Sequence, residues 1–220
     1  MDSRMKFLLT TLAFASLNAA AADMPAMPDH DTATAAVKRY LDEQGDFCLG
    51  KTDWPVEISA IDERARGRDV LQMPVLEGLG LVHSSKATAM RVEGADLDEN
   101  SPPVPVAVKR YELTPLGERW MREREVTVAR AEGDVRVRER DLCAAHLALA
   151  DVVAVVPGAA PRSFVATYTY DATPAPWATS PEFQRAFPLA ARVIDGSRRM
   201  QLKQAFAWKD GAWTPDGLAN

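Results

Sequence analysis

Short helices mixed with antiparallel β-hairpins, an α+β arrangement, are what this sequence predicts. Three observations carry the prediction. Phe164, Ala166, Tyr168 and Tyr170 alternate with Val165, Thr167 and Thr169, the period-two pattern of a half-buried strand. Turn signals then join such runs: Asp210-Gly211 between the Met200–Trp208 alternation and Trp213, and Glu132-Gly133-Asp134 between Val126/Val128 and Val135/Val137. The helical stretches do not alternate regularly with strands, so a parallel sheet of βαβ units is not indicated.

In chain order, Asp31 or Thr32 is expected to cap a helix that carries Ala33, Val37, Tyr40 and Leu41 on one face and ends at Gly45. Phe47 to Ser59 reads as extended, with a break at Pro55. A charged run, 62–69, leads into the apolar stretch Val70–Leu79, which is helical provided Pro74 sits in its first turn. Gly78 and Gly80 close it, and Leu81-Val82 open a strand. Residues 94–105, with four acidic or amide side chains followed by Pro102, Pro103 and Pro105, form a long exposed loop. Val106–Leu113 returns as a strand. Thr114 as cap and Pro115 at the first helical position start a short helix containing Leu116, Trp120 and Met121. After the 126–137 hairpin, Leu147–Val156 is a long apolar strand, turned at Pro157–Pro161. Ser180-Pro181 start a helix with Phe183 and Phe187, and Leu189–Ile194 form a further helical piece ended at Gly196.

The N-terminus reads as a targeting segment. Arg4 and Lys6 precede the apolar run Phe7–Phe14, and Ala20 and Ala22 fit the small positions of a secretory cleavage site before Asp23. The expected organisation is therefore 1–22 signal peptide, 23–30 flexible arm and 31–220 a single α+β domain. Two subdomains meeting near 125–140 are the alternative division. The apolar run is too short for a spanning helix, and no later stretch supplies the ~18 apolar residues a span needs. The expected location is periplasmic or secreted. A formal charge of −5, from 31 acidic against 26 basic side chains, argues against a nucleic-acid carrier. Removing Arg4, Lys6 and Asp2 with the leader makes the mature chain one unit more acidic.

Two cysteines cannot build a four-thiolate zinc site, but in an oxidising compartment they can pair. Cys48 and Cys143 each follow an apolar residue in extended context and are expected to form a disulfide that ties the N-terminal segment to the later sheet. Neither has a CxxC partner, so a catalytic thiol is not indicated.

Two resemblances follow from particular residues. Leu71–Val82, a turn-rich loop and Lys109–Trp120 resemble the core of a winged-helix domain, with Tyr111, Leu113, Thr114 and Gly117 as its Y-x-L-T-x-x-G element. The resemblance implies that Leu113 faces the core, Thr114 caps, and Gly117 permits close packing. The chain departs from the pattern in leaving little room for two helices before the recognition helix and in carrying an acidic wing loop. More widely, Leu113–Gly117, Cys143, Val165–Tyr170, Pro176–Pro188 and Trp208 with Trp213 resemble a group of exported proteobacterial proteins of no assigned function. That resemblance implies no catalytic residues.

Signals for specific chemistry are sparse. Asp96–Asn100 matches the first five positions of a calcium loop, but Ser101 and Ala107 stand where glycine and glutamate are needed. His30, His83 and His146 lack metal-ligand spacing. There is no GxSxG elbow or phosphate loop, and no cofactor or metal is expected. Arg136, Arg138 and Arg140 on one strand face, and Arg64, Arg66 and Arg68 if extended, alternate with acids and read as solvated faces. Trp177, Phe183, Phe187, Trp208 and Trp213 are either core or a surface for a ligand or partner. The functional expectation is a non-enzymatic binding or interaction module of the cell envelope, whose partner is an envelope protein or a small ligand. A periplasmic hydrolase with an unrecognised site is the alternative, and a winged-helix DNA-binding protein the third reading.

Overall fold

The computed structural model describes residues 27–92, 102–128, 133 and 135–218. The leader, the Asp96–Asn100 segment and most of the 94–105 loop lie outside them. The α+β class is as expected: a six-stranded and a three-stranded antiparallel sheet, flanked by short helices.

Helix α1 (His30–Gln44) lays Ala33, Ala36, Val37 and Leu41 on the larger sheet, where they are buried. Its cap is Asp29, whose carboxylate accepts from the Thr32 amide, so the start lies upstream of the expected Asp31 or Thr32 and takes in the end of the 23–30 arm. Strand β1 (Asp46–Cys48) follows Gly45 at once. A Cβ at Gly45 would collide with the carbonyls of Leu147 and Leu41, so glycine is what lets the chain pass there.

Strand β2 (Val56–Ser59), helices α2 (Ala60–Ala65) and α3 (Arg68–Gly78), and the antiparallel pair β3 (Val82–Arg91) and β4 (Val104–Leu113) build the smaller sheet, in order β2-β4-β3. The charged 62–69 run is not extended: it covers the end of α2, a left-handed turn at Arg66 with Gly67, and the start of α3. Ser59 and Asp62 form a reciprocal capping box, and Arg64, Arg66 and Arg68 consequently share no strand face. Pro74 lies inside α3, beyond its first turn, and the helix tolerates it because burial of Met73 and Leu76 holds both sides.

The Thr114 cap is as expected: its side chain accepts from the Gly117 amide. Helix α4, however, is only Pro115–Glu118. Trp120 and Met121 fall outside it because β5 (Met121–Val128) begins immediately, and Leu116 is exposed.

Strand β6 (Val135–Pro157) is the spine. It pairs with β5 over Val135–Leu142, with β1 over Cys143–His146, and with β7 (Ser163–Pro174) over Ala145–Pro157. Val126 faces Val137 and Val128 faces Val135, as the hairpin pattern predicts. A 3-10 turn (Pro176–Thr179) and helices α5 (Pro181–Ala186) and α6 (Pro188–Asp195) precede β8 (Gln201–Lys209) and β9 (Ala212–Leu218), whose Trp208 and Trp213 face each other across the Asp210-Gly211 turn. No helix among the described residues is long and apolar enough to cross a membrane.

Two cores result. One holds Met73, Leu76, Leu81, Tyr111, Leu142, Trp177, Phe183 and Phe187; the other packs α1 against Leu147, Phe164, Tyr168, Tyr170, Phe206 and Trp213. Phe47 touches both.

Candidate functional site

The disulfide expected from sequence organises the site. Cys48 and Cys143 sit directly opposite in the β1–β6 register, with their sulfurs at bonding distance. Asp46 faces His146 and Phe47 faces Ala145, but Cys48 faces Cys143, so Ala144 is an extra residue on β6. This bulge matters for side-chain direction. Asp46 and Cys48, two apart on β1, share a face, whereas positions 143 and 146 of an unbroken strand point to opposite faces. The bulge brings Cys143 and His146 to one side, which is how bulges re-aim side chains.

On that side, His146 Nδ1 lies 3.0 Å from Asp46 Oδ1. A carboxylate only accepts, so Nδ1 carries the proton and neutral His146 presents the Nε2 lone pair outward. Across the other edge of β6, Thr173 of β7 faces the same histidine. The next element to contribute is β5. Arg122 donates through Nη1 to the carbonyls of Arg119 (2.8 Å) and Met121 (3.0 Å), its guanidinium lies 6.0 Å from the centre of the Trp120 ring, and Nε is 3.9 Å from Asp46 Oδ2. Trp120 is braced edge-on by buried Trp177.

These residues, with Cys143, Ala145 and Pro174, line a pocket of about 140 Å³. His146 Nε2, Arg122 Nη2 and the Thr173 hydroxyl have no hydrogen-bond partner among the described residues. The side chains of Asp46, Arg122 and His146 are 40–47% exposed, so a ligand can reach them and their mutual ion pairing is screened by water. Three polar groups with unused capacity thus converge on one small concavity. A larger groove of about 650 Å³, lined among others by Pro188, Arg192, Arg199 and Met200, is open to solvent, and Arg199 is turned back onto the Asp195 carbonyl.

The aromatic residues considered as a ligand or partner surface do not form one. Trp177, Phe183 and Phe187 are buried in the first core, where they contact edge-on and stacked; Trp213 is buried in the second, with Trp208 half-buried beside it. Their apolar area drives burial more strongly than it suits exposure. The Trp177 indole N–H has no partner in its core. Of the other histidines, His83 lies 3.3 Å from Glu112 on the smaller sheet, and His30 Nε2 reaches the Val152 carbonyl at 3.1 Å. Among the described residues, no group of three or more His, Cys, Asp and Glu gathers as a metal set.

The sequence offers His146 as one of three histidines and Trp120 as a helix residue, and nothing in it marks Asp46, Arg122 or Thr173 as their neighbours. The accepted cysteine pairing comes within one residue of finding Asp46, since a regular register from Cys48–Cys143 puts it opposite Ala145. Comparison with protein-family models, with curated proteins and with solved structures found no match to this chain.

Proposed function

We propose that this chain is an exported binding module of the cell envelope that holds a small ligand or a partner's projecting group in the pocket formed by Asp46, Arg122, His146 and Thr173. The observation that carries the reading is the convergence of three unspent polar groups beside a disulfide, on a bulge that aims them together. The leader-like residues 1–22 and the paired cysteines support export, since such a bond persists in an oxidising compartment.

The test has two parts. The chain recovered from the envelope fraction is expected to begin at Asp23; an intact chain confined to the cytoplasm overturns export. Immobilised mature protein is expected to retain an envelope component that the His146→Gln/Thr173→Val double variant does not. Equal retention by both overturns the pocket as the recognition site.

The Asp46–His146 pair also favours a second reading, a hydrolase in which Nε2 takes a proton from the attacking water. Ester hydrolysis of p-nitrophenyl acetate by the mature protein, abolished by His146→Gln, would replace the binding reading. The winged-helix-like unit we assign to architecture. Among the described residues, three of its four hairpin cations are paired with carboxylates, Arg91 with Asp62 (2.7 Å), Arg110 with Glu57 (2.6 Å) and Lys109 with Glu77 (3.3 Å), and only Lys86 is left over for phosphate.

A further inference from the structure

We infer that the pocket is a proton-coupled carboxylate site, in which Arg122, Thr173 and protonated His146 donate to the two oxygens of a small carboxylate. The inference rests on the binding reading and names its ligand class.

Each unspent group can act as a donor toward one point. Arg122 is held by its Nη1 bonds to two backbone carbonyls and by its position over Trp120, so the rest of its donor fork is presented with little rotamer freedom to lose. Thr173 supplies a hydroxyl across the strand from His146. His146 donates from Nε2 only when it binds a proton, and its Nδ1 is held toward Asp46.

The charge balance selects the ligand. The charged groups lining the pocket with His146 are Asp46 from β1 and Arg122 from β5, while β7 contributes the neutral Thr173; further along the same face of β7, Asp171 is paired with Arg198. With neutral histidine, Asp46 and Arg122 cancel; with the imidazolium, the pocket is singly positive and matches a monoanion. Binding a carboxylate therefore draws one proton onto His146, which moves from solvent to Nε2. The sign follows. Bound carboxylate and bound proton favour each other, so affinity is higher at low pH than at high pH, down to where the ligand itself protonates. A volume of about 140 Å³ suits a carboxylate headgroup with a few carbons. Two sources present that chemistry, a free small acid and the C-terminus of a polypeptide.

The experiment is an NMR titration of the mature, oxidised protein with sodium propionate, with N-acetyl-trialanine, and with its C-terminal amide. The His146 ring resonances are read, and those of His30 and His83 serve as internal controls. Expected are saturable shifts of His146 alone in the millimolar range, at least about threefold tighter at about pH 6 than at about pH 8, with no shift from the amide. Tighter binding of the peptide than of propionate identifies a chain terminus; equal binding identifies small free acids. Arg122→Gln is expected to abolish the shift and Arg122→Lys to restore part of it, with thermal melts confirming that both variants fold. An unmoved His146, a shift as large from the amide, or affinity that does not depend on pH overturns the inference. If His146→Gln/Thr173→Val still loses its envelope component while propionate and peptide both fail, the pocket reading stands and the carboxylate assignment alone falls.

Discussion

Asp141 is fully buried, and its two oxygens accept the amides of Gly50 (3.1 Å) and Lys51 (2.7 Å), folding the chain after Cys48 around a carboxylate. Gly50 occupies a left-handed conformation there, which a side chain would strain. Removing the carboxylate strands two backbone donors, so Asp141→Ala is expected to cost about 2–4 kcal/mol in denaturant unfolding. A variant within about 0.5 kcal/mol of the parent would show that the turn does not depend on it. Asp62 behaves differently because it is partly exposed. The Ser59 backbone amide, followed by Arg91, holds its carboxyl below the ordinary value of 3.8. The Ser84 hydroxyl lowers Glu77, and Arg198 lowers Asp171. A depressed folded-state value contributes stability that is fully present above the unfolded value and is lost as pH falls through the folded one. Thermal stability is therefore expected to drop as pH falls below about 4. Asp62→Asn should flatten that dependence; an unchanged slope would show that the capping box does not drive it.

At the scale of elements, Gly117 packs α4 against the β3–β4 end of the smaller sheet. A Cβ there would drive into the Leu81 carbonyl and meet Leu113 Cδ2 at 3.0 Å, and Thr114 donates its backbone amide to that same Leu81 carbonyl. Gly117→Ala is expected to cost about 1–3 kcal/mol through overpacking against backbone that cannot yield. Leu113→Ala, which truncates a half-buried side chain packed on the first core, should cost about 1–3 kcal/mol. Thermal melts check both, and parental melting of Gly117→Ala would overturn the close-approach argument. The sequence made this element readable because a cap, a proline and a small residue lie within four positions of one another. It equally exposed the 164–170 strand and the Trp208–Trp213 hairpin, whose periods are local. What it concealed is non-local. Helix α2 hides behind its charge because its capping box is Ser59 and Asp62 rather than the common glutamate. The pocket depends on one inserted residue, Ala144, that no periodicity marks, and on Arg122, which in sequence is one arginine among many.

For the whole molecule, β6 and Phe47 make the two cores one cooperative system. Leu142 and Ala144 belong to the first core and Leu147 and Val152 to the second, along one uninterrupted strand. Thermal unfolding of the oxidised protein is expected to be a single transition, with near- and far-ultraviolet signals coinciding. The Cys48→Ser/Cys143→Ser variant should lose about 2–5 kcal/mol, because the bond closes a loop with a sequence separation of 95. Two resolved transitions in the oxidised parent would show that the shared strand does not couple the cores.

The sequence separation of the cysteines also sets an order of events during biogenesis. Cys48 is added to the growing chain 95 residues before its partner, an interval of roughly 5–20 s at ordinary elongation rates. Until then β1 has no strand to join, and Asp46 has no histidine to hold. With only two cysteines in the chain, intramolecular mispairing cannot occur, and a wrong protein–protein disulfide must be a bond to a neighbouring molecule. Oxidation at a high local concentration of unfolded chains should therefore raise the yield of disulfide-linked dimers, and dilution should lower it.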